Sequence, residues 1–212
     1  ARARGRDVTV EAYPYTAGMT EIQSATIQDL YKSAPEARLS EIEWPPTGER
    51  LNRESFARFT RLGGPIVIHA NTEQMVATAI SSPLTIIASD AYWRNGTGHP
   101  RTTGTFSKVL GRYARDAHSL SLIEALRKMT LLPAQRLEAR VPAMRQKGRL
   151  QVGADADITI FDPATVLDRS TYREPSLSPV GVQHVIVNGV SVVANGRAVE
   201  GVAPGKAVRA QR

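Results

Sequence analysis

The order of elements in this sequence predicts an α/β protein with a parallel sheet, followed by a smaller antiparallel β unit. Three observations predict it. Candidate strands over residues 7–13, 65–69 and 84–88 are separated by helical patterns, the alternation expected of βα units. Residues 84–88 form a mostly apolar run that stops abruptly at Ser89-Asp90, as a strand buried on both faces does. From Gly148 onward, short β segments are joined by Asn188-Gly189 and Asn195-Gly196, which are two-residue hairpin signals.

The elements follow in order. Ala1-Arg2-Ala3-Arg4-Gly5 opens without Met and reads as a helix end capped by Gly5, so the chain is expected to enter a repeating fold partway, as a piece of a longer protein. Strand 7–13 alternates, with Val8, Val10 and Ala12 opposite Asp7, Thr9 and Glu11,. Tyr13 and Tyr15 fall near its carboxyl end, where their hydroxyls can face a pocket, although a Tyr beside Pro is commonly a packing residue. Residues 24–33 read as a short helix, and 39–48, with Trp44-Pro45-Pro46, as an irregular connection,. Over 52–62, Phe56, Phe59 and Leu62 recur at helical spacing between an Asn52 N-cap and a Gly63-Gly64 stop,.

Strand 65–69 follows, and then helix 73–80 with Met75, Val76, Ala79 and Ile80 on its inner face. Helix 105–116 carries Phe106, Val109, Leu110, Tyr113, Ala114 and Ala117 in one stripe,. Ser121 and Glu124 make a capping box for helix 122–130, and Pro133 begins a short helix to Leu137,. Three successive helices end the alternation, so the sheet is expected to finish at strand 84–88. Residues 148–153 read as a strand and turn, 156–161 as a strand, and 182–187 with 190–193 as a hairpin, followed by a last strand at 197–199. His184 alternates on that hairpin as a surface or edge residue.

Composition narrows the function. With 212 residues, 42% of them hydrophobic, the chain can bury a substantial core,. Its zero cysteines rule out a disulfide framework or a thiolate metal site within it,. No apolar run is long enough to span a bilayer and no signal peptide opens the chain, which predicts a soluble, cytoplasmic protein without a membrane partner. The net charge of +7 invites a nucleic-acid reading,. Against it, 27 Lys and Arg are interspersed with 20 acidic residues, the denser clusters lie at the two ends, and aromatics make up only 6%. Solvated faces account for the charge without a nucleic-acid partner.

Two residues stand at strand ends. Asp90 ends the buried run 84–88, at the edge where α/β enzymes put their chemistry; equally, Asp is common as a turn cap. His69 ends its own strand and can look into the same mouth. No other His, Cys or carboxylate lies at metal-ligand spacing from it, which favours a structural role.

Several separated strings then agree with one family. Residues 7–17, with Tyr13-Pro14-Tyr15-Thr16-Ala17, Ser89-Asp90, Gly98-His99-Pro100-Arg101, Gly104-Thr105-Phe106 and Val109-Leu110-Gly111-Arg112-Tyr113 resemble N-acyl-D-amino-acid deacylases. These are D-aminoacylase-like members of the amidohydrolase superfamily. The tail strings Met129-Thr130, Pro133-Ala134, Lys147-Gly148, Val152-Gly153-Ala154-Asp155-Ala156-Asp157, Phe161-Asp162-Pro163 and Val187-Asn188-Gly189 are similar to those of many amidohydrolases.

The resemblance implies a zinc-dependent (β/α)8 TIM-type barrel with a small β-sandwich. This chain would be the C-terminal part of the barrel, residues 1–146, followed by a share of the sandwich, residues 147–212. A full barrel takes about 250 residues, so the missing N-terminal barrel half is expected as a partner. The family's metal ligands would lie upstream of Asp7, leaving no complete metal site here, with Asp90 at most a weak ligand. By the same resemblance, Asp90 is the catalytic general base and acid acting on zinc-bound water in the hydrolysis of N-acyl amino acids. Arg101 is the residue that holds the substrate's α-carboxylate, or else a loop anchor. Tyr13 and His99 are the remaining substrate-binding candidates, His99 as a loop-shaping residue. The family often has Ser where this chain has Gly18-Met19, which removes a hydroxyl contact to substrate. The alternatives are a cyclic-amide hydrolase of the dihydropyrimidinase or dihydroorotase type, and a chain that alone is an inactive fragment or assembly partner.

Overall fold

A 3-10 turn, Arg2–Arg4, ends on Gly5 at φ +71° and leads into β1 (Val10–Ala12). Then come β2 (Gly18–Glu21), α1 (Ala25–Tyr31), α2 (Glu36–Leu39), β3 (Ile42–Trp44), β4 (Glu49–Arg50), α3 (Arg53–Leu62), β5 (Pro65–Ile68), α4 (Glu73–Ser81) and β6 (Thr85–Ile87). A small hairpin, β7 (Trp93–Arg94) and β8 (Thr97–Gly98), precedes α5 (Arg101–Lys108), which continues directly into a π-helical stretch, Val109–Asp116. The chain closes with α6 (Leu122–Met129), α7 (Leu131–Leu137), β9 (Ile158–Phe161), β10 (Val182–Val187), β11 (Val190–Ala194) and β12 (Arg197–Ala198). This computed structural model describes residues 2–94 and 96–210. Ala1 of the expected helix end, Asn95 of the loop after Asp90, and Gln211-Arg212 of the basic tail lie outside the described residues.

β1 and β6 pair in parallel, with Val10 opposite Thr85 and Ala12 opposite Ile87. The expected strand at 84–88 is therefore there as β6, and it is parallel to the first. Strand 65–69 departs from expectation. β5 pairs antiparallel with both β2 and β3, in a separate sheet of order β2-β5-β3-β4. Residues 39–48, expected to be irregular, instead hold the end of α2 and a hairpin turning at Thr47-Gly48, where Gly48 has φ +72°. Short runs at period two specify a strand but not its direction. This antiparallel sheet lies inside the crossover from β1 to β6, and of its pairs only β3–β4 is joined by a tight turn,.

The inserted sheet has its own core of Ile22, Ile27, Leu39, Ile42, Phe56 and Ile66, with Trp44 stacked on Phe59 at 4.2 Å and 8° between rings. α3 begins as expected, with Asn52 and Ser55 forming a reciprocal capping box,. A second core joins Val76, Ile80, Ile87, Val109, Tyr113 and Val166 beneath the parallel pair. Three apolar residues expected on inner stripes face outward instead: Leu62, Met75 and Phe106.

In the C-terminal part, β12-β11-β10-β9 form an antiparallel sheet. Asn188-Gly189 and Asn195-Gly196 adopt positive φ throughout, as two-residue hairpin turns of the primed type require,. His184 lies half-buried on β10, an interior strand and not an edge. Residues 148–153 are not a strand. Gly148 and Gly153 sit at φ +70° and +83°, and Ala154 N–H donates to Gln151 O, so the segment is a run of turns.

The two parts meet closely at Gly111, where an added Cβ would lie 2.3 Å from the Val166 carbonyl oxygen. Gly111→Ala is expected to cost about 1–3 kcal/mol through overpacking, read as a lower midpoint in urea unfolding at unchanged slope.

Candidate active site

Parallel pairing sets the site. Because Ala12 and Ile87 are in register, the residues that follow them, Tyr13 on one strand and Ser89-Asp90 on the other, emerge at the same edge. Asp90 turns out of the strand at φ +46°, a conformation that Asp tolerates better than most residues. Its side chain is 66% exposed, and its Oδ2 lies 2.8 Å from Arg101 Nη2.

The loop after Asp90 returns the chain to this point. Tyr92 N–H donates to Thr102 Oγ1, whose hydroxyl donates back to Tyr92 O. Glu21 on β2 takes hydrogen bonds from Tyr92 Oη at 2.5 Å and Arg94 Nη1 at 2.8 Å. These bonds hold the Glu21 carboxyl below its usual range, Tyr92 contributing most.

Arg101 then enters on the first turn of α5 with only 3% of its side chain exposed. Besides Asp90, its Nη2 donates to Met19 O at 3.2 Å, and its guanidinium carbon stands 4.4 Å over the Tyr13 ring,. Its Nε is buried with no hydrogen-bond partner among the described residues. A buried N–H donor left open is costly, so this atom marks a place for an acceptor.

His99 is fully buried. Arg101 N–H donates to its Nδ1 at 3.1 Å, which leaves the proton on Nε2 to donate to Ala17 O at 2.9 Å. Tyr15 and Tyr172 meet the ring edge-on, at 5.6 and 5.1 Å and close to perpendicular, with Tyr13 at 6.2 Å. Burial, with the Arg101 charge adding, pushes its pKa down to about 3. The ring is neutral, and both its nitrogens are spent on backbone.

His69, by contrast, is tied to Glu43 at 2.9 Å and packs on Tyr172 at 5.3 Å. Its burial, with Arg50 adding, lowers its pKa. The structure thus gathers Asp90, Arg101, Tyr13 and His99, while His69 packs on the same Tyr172 ring as His99 but is tied to Glu43.

Sequence reasoning finds Tyr15 but misses the residues that arrive from elsewhere. Tyr15 Oη donates to Asp168 Oδ2 at 2.9 Å, and burial holds its pKa far above the usual phenol value. Lys108 Nζ lies 4.1 Å over the Tyr15 ring, with burial lowering its pKa. Tyr172 comes from a stretch with no periodic signal, so nothing in the sequence points to it.

Among the described residues, no three His, Cys, Asp or Glu are grouped so as to hold a metal. Nor is any helix there long and apolar enough to cross a membrane.

The buried imidazole has a consequence for pH. Its folded pKa lies below the unfolded value of 6.5, so the unfolded chain binds the extra proton. Stability is expected to fall as pH drops from 6.5 toward about 3. In urea unfolding across that window, His99→Gln should show a shallower fall than the unaltered chain, His69 supplying part of the remaining slope.

The profile of the amidohydrolase family matches residues 1–193. An N-acyl-D-glutamate deacylase of Alcaligenes xylosoxydans xylosoxydans is 35% identical over 198 residues, covering 91% of this chain and 40% of that protein. A D-aminoacylase of the same organism is 32% identical, covering 88% of this chain and 39% of that protein. Among solved structures, an N-acyl-D-glutamate deacylase from Bordetella bronchiseptica, complexed with zinc and a phosphonate mimic of the tetrahedral intermediate, superposes with a TM-score of 0.74 at 30% identity. The match covers 93% of this chain and 43% of that one. A crystal structure of D-aminoacylase gives 0.73 at 30% identity, over 93% and 42% of the two chains. The chain thus spans about two fifths of the length of the curated relatives it matches. On the match across residues 1–193, it belongs to the amidohydrolase family.

Proposed function

We propose that this chain is the C-terminal part of a zinc-dependent amidohydrolase that hydrolyses the amide of N-acyl-D-amino acids. Residues 1–146 form the last part of its barrel and 147–212 its share of a β-sandwich. The parallel β1–β6 pair, with α4 in its crossover, supports the barrel assignment, and the relatives' names support the substrate. The observation that carries the reading is the pairing of Asp90 with a buried Arg101 whose Nε lacks a partner among the described residues.

In this reading, Arg101 takes the carboxylate of the amino acid. A guanidinium fork offers Nε and Nη2 side by side, and the open Nε supplies a donor that no other described residue uses,. Tyr13 backs the guanidinium, and His99 shapes the loop without touching substrate. Asp90 is freed to serve as general base. It accepts a proton from the water that adds to the acyl carbonyl, then returns it to the nitrogen as the C–N bond breaks, giving a carboxylate and a free amino acid. Zinc, when bound, would lower the pKa of water and polarise the carbonyl. The described residues of this chain do not fit a zinc site by themselves. Both nitrogens of His99 are engaged and His69 is committed to Glu43. Its ligands therefore belong to polypeptide outside these residues, and the isolated chain is inactive.

The test uses the full-length zinc-loaded protein and an amine-release assay on N-acetyl-D-amino acids. Asp90→Ala should lower kcat by about 10²–10⁴-fold, the usual contribution of a general base, while zinc content stays stoichiometric. Near-full turnover in that variant would sink the role given to Asp90. Stoichiometric zinc on the isolated 212-residue chain would contradict the account of its ligands.

A further inference from the structure

We propose that Tyr172, carried on a strap of residues 168–175, is a positioning residue for Arg101 that acts through His99. The inference rests on Arg101 being the carboxylate holder.

The strap is pinned on both sides of Tyr172. Before it, Asp168 Oδ2 accepts from Tyr15 Oη at 2.9 Å, and Ser170 Oγ donates to Pro100 O at 3.0 Å. After it, Thr103 Oγ1 donates to Pro175 O at 2.8 Å. Each bond lands on Tyr15 or on residues flanking His99 and Arg101. Gly104 makes the approach possible, since an added Cβ would stand 2.3 Å from Tyr15 Oη and 2.5 Å from Ser170 Oγ. So fastened, the strap lays the Tyr172 ring against the imidazole of His99, 5.1 Å away and at 89°. Tyr13 and Tyr15, from the stretch following β1, also meet the imidazole. His99 is thus clamped between rings from two distant stretches of chain.

The clamp matters because of what His99 spans. Its Nδ1 receives the N–H of Arg101, and its Nε2–H reaches Ala17 O. Two residues beyond Ala17, Met19 O holds the Arg101 guanidinium. The imidazole is therefore the spacer between the first turn of α5, from which Arg101 grows, and the strand that receives its fork. A tilt of the ring loosens both bonds and shifts the fork relative to Asp90. Misplacing a substrate clamp by a fraction of an ångström weakens its hold on the ligand.

The experiment compares two substrates on the full-length zinc-loaded protein: an N-acetyl-D-amino acid, and the matching N-acetyl amine that lacks the carboxylate. Tyr172→Ala should raise KM for the first about tenfold with kcat changed less than about threefold, while kcat/KM for the second is unaltered. Tyr172→Phe, which keeps the ring, should restore KM. Equal losses on both substrates, or no loss on either, would overturn the proposal. If Tyr172→Ala does not fold, Ser170→Ala loosens the strap at Pro100 and leaves the ring in place. It should give a smaller rise in KM confined to the carboxylate substrate, and its absence would also overturn the proposal. Unaltered protein that is inert on N-acyl amino acids would instead sink the deacylase reading, and this inference with it.

Discussion

Burying a guanidinium is expensive, and Arg101, with 3% of its side chain exposed, cannot shed its charge,. Much of the surrounding structure serves to offset that cost. Asp90 provides the counter-charge, Met19 O a hydrogen bond, and the Tyr13 ring a negative face. These partners come from three places in the chain, brought together by the parallel β1–β6 pair and the sheet inserted between its strands. The exposed Asp90 carboxylate gives the pair an open side to water.

The inserted sheet contributes more than coverage. β2 begins immediately after the stretch that supplies Ala17 O, and its pairing with β5 fixes Gly18 and Met19 in register with Ile68 and Val67. The carbonyls that hold His99 and Arg101 are thus anchored to a sheet with its own packed core. Glu21, on the same strand, reaches across to Tyr92 and Arg94 and ties down the loop that returns from Asp90. One four-residue strand therefore steadies both the Arg101 side chain and the path that leads to it.

What could be read in advance follows the range of the interaction. Asp90 is legible because an apolar run that halts at a carboxylate marks a strand tip, and the Ser121–Glu124 and Asn52 caps are legible because they are local. The Asn-Gly turns declare themselves for the same reason. The direction of β5 is not legible, since alternation along one strand says nothing of its neighbour. Tyr172 is invisible because its meaning lies in a ring some seventy residues earlier. Nor does composition reveal that Arg101 is buried; only its contacts with Asp90, Met19 O and the Tyr13 ring do that.

The strap also bears on the order in which the molecule assembles. Bonds such as Arg101 to Met19, 82 residues apart, and Tyr15 to Asp168, 153 apart, close large loops in the chain. Such closures are slow because their entropy must be lost before the contact rewards it. The hairpins and capped helices form from near neighbours, whereas the corner around Arg101 is braced by a distant segment, residues 168–175. On refolding, the bonds from residues 168–175 to Tyr15, Pro100 and Thr103 are therefore expected among the last to close, after the hairpins and capped helices,.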